Sequence, residues 1–406
     1  MNAGYVIGLS LAAALCIGTP VRADELQPET AHVEVLPDGP RDHWVAVGDL
    51  NPLGSLDTRV VLFDADKGTM LGQLNTGYWS GLSYFPRGTQ NIVTLETYFE
   101  KGTRGLRKDY VVIYDGKTLL PQHEINIPPR RMTALTQTQM AGLSDDGRFM
   151  AVSNFTPAQT LTLVDLKEHR FVSELETPGC GQVYPLGERI FGLLCGDASL
   201  RTITLGEDGA VVSQVEGEAF FDPFKDPVLV PAARYGATWL FVSMDGIIHE
   251  VGLSGGKAKL VSTWSLLSDS ERDDEWRTGG VQPLAVHEAT GELFVLMRQG
   301  GRETYEEPAE TVWVYDIKSH KKLREIDLDN LTMAINVSRD GAPLLNAASL
   351  KLVVPYWSLA LVSMLGHKFA DLDVVKPALD IYDAESGRHL RTIDHAANFA
   401  TSVTQP

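Results

Sequence analysis

Seven times along the chain an apolar, mostly β-branched run ends in an aromatic or apolar residue, then usually Asp, then a turn. The phrase reads RVVLFDADKG (59–68), YVVIYDGKT (110–118), TLTLVDLKE (160–168), LRTITLGEDG (200–209), IIHEVGLSGG (247–256), TVWVYDIKS (311–319) and ALDIYDAESG (378–387). Such runs, bounded by Gly and Asp, predict buried strands. A partner strand precedes each copy, at 43–49, 91–97, 149–154, 189–195, 238–244, 292–297 and 344–349. Turn signals at 145–147, 289–291 and 339–341 introduce several of these partners. A third strand follows the Asp turn, as at 69–74 and 321–328. Each unit is therefore expected to be a three- or four-stranded antiparallel blade. One unit cannot bury its own apolar face, so the units must stack on one another.

The anchor positions Asp64, Asp115, Asp165, Thr204, Gly252, Asp316 and Asp383 lie 51, 50, 39, 48, 64 and 67 residues apart. The first four gaps suit a propeller blade of about 40–50 residues. The last two require insertions, placed at 298–310 and 350–377. The expectation is an all-β, seven-bladed β-propeller in a single domain spanning 24–406. A β-sandwich would not call for seven similar units. The Asp residues read as turn formers, not as catalytic groups.

Residues 1–23 resemble a secretory signal. The apolar stretch 6–18 is too short to span a bilayer, and Val21-Arg22-Ala23 offers a cleavage site. The n-region lacks Lys and Arg, and Leu15 before Cys16 fits lipidation poorly. A periplasmic location is the expectation. Cleavage would leave two cysteines, Cys180 and Cys195, and an even pair in an exported chain predicts a structural disulfide. A reactive thiol pair is the functional alternative. The formal charge of −18 becomes −19 once Arg22 is removed, which argues against nucleic acid and anionic membranes as partners. The apolar run 352–365 contains Pro355 and is too short for a convincing membrane span. It reads as a buried segment or as a contact for another subunit.

Catalytic signatures are few. H-E-x-x-H, the P-loop and G-x-G-x-x-G do not occur. Gly77-Tyr78-Trp79-Ser80-Gly81 has the wrong spacing for a nucleophile elbow. The ten His are scattered, so no metal site is expected. The acidic run at 268–276 reads as a solvated helix, not a calcium loop. Trp264, Trp276 and Trp313 read as packing residues.

The stretch 97–121, TYFEKGTRGLRKDYVVIYDGKTLLP, carries Arg104-Gly105, Arg107 and Asp109 ahead of the strand phrase. It resembles the large subunit of quinoprotein amine dehydrogenases, the methylamine and aromatic amine enzymes. The likeness continues through 144–166, Cys180 and Cys195, 200–209, 264–280 and 335–345. The resemblance implies a seven-bladed propeller with an intrachain disulfide at the two cysteines. It further implies an α2β2 heterotetramer in which this chain holds no catalytic residue and binds no cofactor covalently. A small partner subunit carries tryptophan tryptophylquinone. Primary amines are deaminated to aldehyde and ammonia there, and electrons leave singly to a blue copper protein of the amicyanin or azurin kind. The family's large subunit places an aromatic residue at the substrate channel. Tyr78 matches it, where the compared relatives carry Phe, and Trp79 stands beside it. LGEDG (205–209), 195–197 and 264–267 lean towards the aromatic amine branch, INVS (335–338) towards the methylamine branch. A free-standing periplasmic propeller that binds a ligand, or a propeller hydrolase, are the alternative readings.

Overall fold

The computed structural model describes residues 35–50, 57–133, 136–155, 157–352 and 375–406. The signal segment 1–23 and, but for Leu352, the apolar run 352–365 lie outside the described residues. The structure is a β-propeller built from antiparallel meanders. The first meander contains β1 (Trp44–Asp49), β2 (Thr58–Asp64) and β3 (Thr69–Gly77). The second contains β4 (Ser83–Tyr84), β5 (Asn91–Phe99), β6 (Arg107–Asp115) and β7 (Pro121–Ile127). The third runs through β8 (Ala141–Leu143), β9 (Phe149–Asn154), β10 (Thr160–Asp165) and β11 (Arg170–Glu176). The fourth has β12 (Cys180–Gly187), β13 (Ile190–Cys195), β14 (Leu200–Leu205) and β15 (Val211–Val215). The fifth has β16 (Ala233–Tyr235), β17 (Thr238–Val242), β18 (Ile247–Ser254) and β19 (Lys257–Ser265). A short helix, α1 (Asp269–Asp273), and β20 (Trp276–Thr278) lead to β21 (Leu284–His287), β22 (Glu292–Gln299) and β23 (Ala309–Asp316). The 17-residue β24 (Lys321–Val337) closes the sixth meander with its first half and opens the last with its second. β25 (Leu344–Leu352), β26 (Val375–Asp383) and β27 (His389–Asp394) complete that meander. The final strand, β28 (Ala400–Thr404), pairs antiparallel with β1 and so supplies the inner strand of the first meander.

Grouped by pairing, the described strands fall into antiparallel meanders of four strands, except the sixth, where β20 and β21 both pair with β22. Seven apolar clusters hold them. Ala46, Leu62 and Leu74 of the first meander pack on Ile92 and Val112 of the second. Each later cluster joins one meander to the next. The last joins Leu379 and Ile381 of the final meander to Val45, Val47 and Phe63 of the first. β1, β9 and β10 are buried along their whole length, which is why the central strands read as continuous apolar runs. Each such Val, Leu or Phe contributes about 1.5–3 kcal/mol by leaving water. The outer β3, β7 and β11 are mostly exposed or half-buried.

The Asp that ends each strong repeat is a turn former, as expected. Asp115 Oδ1 accepts from the Thr118 amide (2.7 Å), Asp165 Oδ1 from Glu168 (3.1 Å), Asp316 Oδ1 from Ser319 (2.6 Å) and Asp383 Oδ1 from Ser386 (2.8 Å). This local bond is how Asp stabilises a turn. The acidic run forms α1, capped by Ser268 and Glu271 in a reciprocal box and without buried residues. Trp264 and Trp313 are buried in the cluster between the fifth and sixth meanders, with Trp276 packed against it. The predicted insertions need corrected limits. Arg298 and Gln299 still belong to β22, and Ala309 and Glu310 to β23. Leu350–Leu352 pair with 375–377 as strand, because both hairpins extend past the repeat phrase.

Candidate functional site

Cys180 and Cys195 face each other as the first residue of β12 and the last of β13, and they form a disulfide. Their side chains are buried in the cluster between the third and fourth meanders. The bond closes a hairpin and leaves no free thiol among the described residues.

Tyr78 and Trp79 lie in the connection from β3 to β4. Gly77 carries φ +71° and Gly81 φ +75°. A Cβ at Gly77 would lie 2.4 Å from Thr97 O, so only glycine permits this approach. Trp79 also has positive φ, +41°, which costs a non-glycine residue about 1–2 kcal/mol. The surroundings impose it. The Tyr78 amide donates to Thr97 O (2.8 Å), the Ser80 amide to Thr58 Oγ1 (3.2 Å) and the Gly81 amide to Thr76 Oγ1 (2.9 Å). Ser80 Oγ donates to Leu95 O. Thr58 and Thr76 are themselves fully buried and bonded together at 3.1 Å. Both aromatic side chains are half-buried, and the Tyr78 ring meets Phe99 edge-on at 5.2 Å.

Beneath this loop, β5 and β6 carry a charged network. Arg107 donates to Asp109 twice, through Nε to Oδ1 and Nη2 to Oδ2, both at 2.8 Å. Thr97 Oγ1 donates to Asp109 Oδ1 (2.8 Å), and the Arg131 amide donates to Oδ2 (3.0 Å). The buried Arg131 guanidinium turns back to donate to Thr97 Oγ1 through Nη2 (2.8 Å) and Nε (3.2 Å). Burial pulls the Arg131 pKa down to about 10, against the opposing pull of Asp109. Thr97 therefore links the two systems: its carbonyl holds Tyr78, and its hydroxyl sits between Asp109 and Arg131. On the opposite face of β5, buried Glu96 accepts hydroxyl bonds from Thr94, Tyr98 and Tyr114, each 2.7 Å. Its pKa is raised, chiefly by burial.

Arg107 and Asp109, two residues apart, share one strand face, a spacing visible in the sequence. Arg131, Thr97, Glu96 and Phe99 escaped notice there. The second Arg of the Pro-Pro-Arg-Arg connection at 128–131 gives no hint of burial, and the Asp109–Arg131 contact spans 22 positions.

The chain direction sorts the connections between two ends of the ring. The Asp turns lie on one end. The Tyr78–Trp79 loop, the β5–β6 hairpin loop, the long connection 216–232, α1 and the 300–308 loop lie on the other. β25 ends and β26 begins there too. Leu106, Phe155 and Phe224, the last 96% exposed, stand on this end. Neither Tyr78 nor Trp79 lines the central cavity of about 360 Å³, whose lining comes from the inner strands and the turns that follow them. Among the described residues no group of three or more His, Cys, Asp or Glu is placed to hold a metal, and no helix is long and apolar enough to cross a membrane.

Comparison with known proteins agrees with this arrangement. The chain is 29% identical to the methylamine dehydrogenase heavy chain of Methylophilus methylotrophus over 82% of its own length and 81% of that protein. It is 29% identical to the heavy chain from Methylobacillus flagellatus over 72% of this chain and 73% of that one. For the heavy chain of Paracoccus versutus the figures are 26%, 86% and 76%. Among solved structures, a functionally unknown protein from Desulfotomaculum acetoxidans superposes with a TM-score of 0.53, 10% identity, and coverage of 89% of this chain and 98% of that one. That likeness concerns the fold alone. The sequence profile named methylamine dehydrogenase heavy chain matches residues 45–360, and the chain belongs to that family.

Proposed function

We propose that this chain is the noncatalytic large subunit of a periplasmic quinoprotein amine dehydrogenase, with its seven meanders as the seven blades of a closed ring. Family membership supports a subunit of an amine-oxidising oxidoreductase. The observation that carries the finer reading is the Tyr78–Trp79 loop. The backbone that carries the two aromatic side chains is held by buried hydrogen bonds, with Trp79 at positive φ, on the end of the ring that gathers the long connections. Backbone strain kept by a buried frame is a pointer to function.

Tryptophan tryptophylquinone is made from tryptophans of the small partner. In this chain Trp44, Trp239, Trp264 and Trp313 are buried in packing. When bound in the partner, that quinone supplies the electron sink for a primary amine and passes electrons onward singly to a blue copper protein. This chain excludes water and shapes the entrance. Tyr78 offers an apolar ring face and one hydroxyl, and Trp79 adds bulk. The partner in an α2β2 assembly docks on the same end, where Leu106, Phe155 and Phe224 expose apolar surface.

Purification of the native complex tests the reading. A small chain with quinone absorbance should accompany this one. A homogeneous single chain that oxidises amines would end the proposal.

A further inference from the structure

The end of the ring that carries the Asp turns holds a second constellation of polar side chains. Arg87 follows β4, Arg339 follows β24 and Gln405 follows β28. Since β28 is the inner strand of the first meander, Gln405 stands between Arg87 of the second and Arg339 of the last in ring order. All three line the central cavity. Gln405 is only 7% exposed, yet neither its Nε2 nor its Oε1 has a hydrogen-bond partner. Asn336 Oδ1, from the same lining, is also buried and unpartnered. Buried polar groups are almost always bonded, so unpaired ones in a cavity point to something that fills it.

The arginines have the complementary defect. Among the described residues neither Arg87 nor Arg339 makes an ion pair or a side-chain hydrogen bond. Arg234 on the same rim is satisfied, donating to Asp145 through Nη2 at 2.8 Å. Glu288 is likewise engaged, accepting from the Gly236 amide at 3.0 Å. Surrounding protein and then the Arg87 charge lower the pKa of Arg339, against the opposing pull of Glu288 and Asp42. Asp145 and Glu288 share this mouth, but both are engaged by other donors, so the two guanidiniums are left without a hydrogen-bonded carboxylate. Their planar forks suit an oxyanion. The amide behind them offers one donor group and, with Asn336, two acceptors. Those acceptors need a hydroxyl that a simple anion lacks.

We propose that this mouth is a binding site for a small hydroxycarboxylate, with its carboxylate on Arg87 and Arg339 and its hydroxyl against Gln405 and Asn336. The site lies at the end of the meanders opposite Tyr78 and Trp79.

Titration calorimetry and thermal shift on the purified full chain test it, with malate, succinate, inorganic phosphate and sodium chloride at matched ionic strength. Malate should saturate and raise Tm, and succinate should bind more weakly. The double variant R87Q/R339Q should weaken malate at least about tenfold, the scale of one charge-assisted hydrogen bond. Q405L should erase the preference for malate over succinate. If R87Q/R339Q fails to fold, R87K/R339K keeps the charge, removes the fork and should still weaken malate. Responses no greater than those to chloride, or phosphate binding as tightly as malate, overturn the proposal. A drop in Tm in R87Q/R339Q with malate binding unchanged would assign the arginines to holding the ring and overturn it too.

Discussion

Asp109→Asn should cost about 3–5 kcal/mol of folding stability, the range for breaking a buried ion pair from one side. Asp109 is fully buried and accepts four hydrogen bonds: two from Arg107, one from the Thr97 hydroxyl and one from the Arg131 amide. Asparagine keeps the shape and one acceptor oxygen. Its amide nitrogen would face either the Arg107 Nη2 or Nε donor, so at least two of the four bonds become donor against donor. At about 1.5–3 kcal/mol for each bond to a charged group, the loss falls in the same range. The Arg131 guanidinium would keep its charge in the interior with its opposing carboxylate gone. Urea unfolding of the wild type and D109N, followed by tryptophan fluorescence, measures the difference. Because Thr97 also anchors Tyr78, the assembled enzyme should show a shifted kcat/KM ratio between small and bulky amines. A stability loss under about 1 kcal/mol would show that the network contributes little and that the loop is held by other means.

Tyr78→Ala should change that same ratio while leaving assembly intact, and an unchanged ratio removes Tyr78 from the channel. Replacing Cys180 and Cys195 by Ser opens a loop with a sequence separation of 15 and should lower stability by about 3 kcal/mol, without abolishing quinone absorbance in the intact complex. An unchanged Tm would contradict this. Glu96 has its pKa raised by burial, so between its unfolded and folded values the native state binds a proton that the unfolded chain has released. Stability due to Glu96 is therefore fully present below the ordinary value near 4.5 and is lost as pH rises through the folded pKa. Urea midpoints at pH 4.5 and pH 8 should differ less in E96Q than in the wild type, and equal differences would sink this assignment.

The strands that carry the repeat were legible because they are buried on both faces and each ends in an Asp with a local hydrogen-bonding job. Both signals need only neighbouring residues. The inner strands were not legible as a set. Ser83–Tyr84 and Ala233–Tyr235 are two and three residues long, and their pairing partners, not their own pattern, make them strands. β24 reads as two separate phrases, KLREIDL and INVS, yet it runs unbroken through two meanders with a register shift between them. The aromatic pair at 78–79 was found through family likeness. The frame that holds it was hidden, since Thr58, Thr76 and Arg131 look like ordinary surface residues until tertiary contacts bury them.

The pairing of Ala400–Thr404 with β1 has a consequence for biogenesis. Among the described strands, β1 waits for β28. A nascent chain cannot seal the meander that contains β1 until Ala400–Thr404 has been made, so completion of that module must wait for all the others. Shortening the polypeptide ahead of position 400 would leave a gap at Val47 and Gly48, and an unguarded edge there invites strand exchange with another copy.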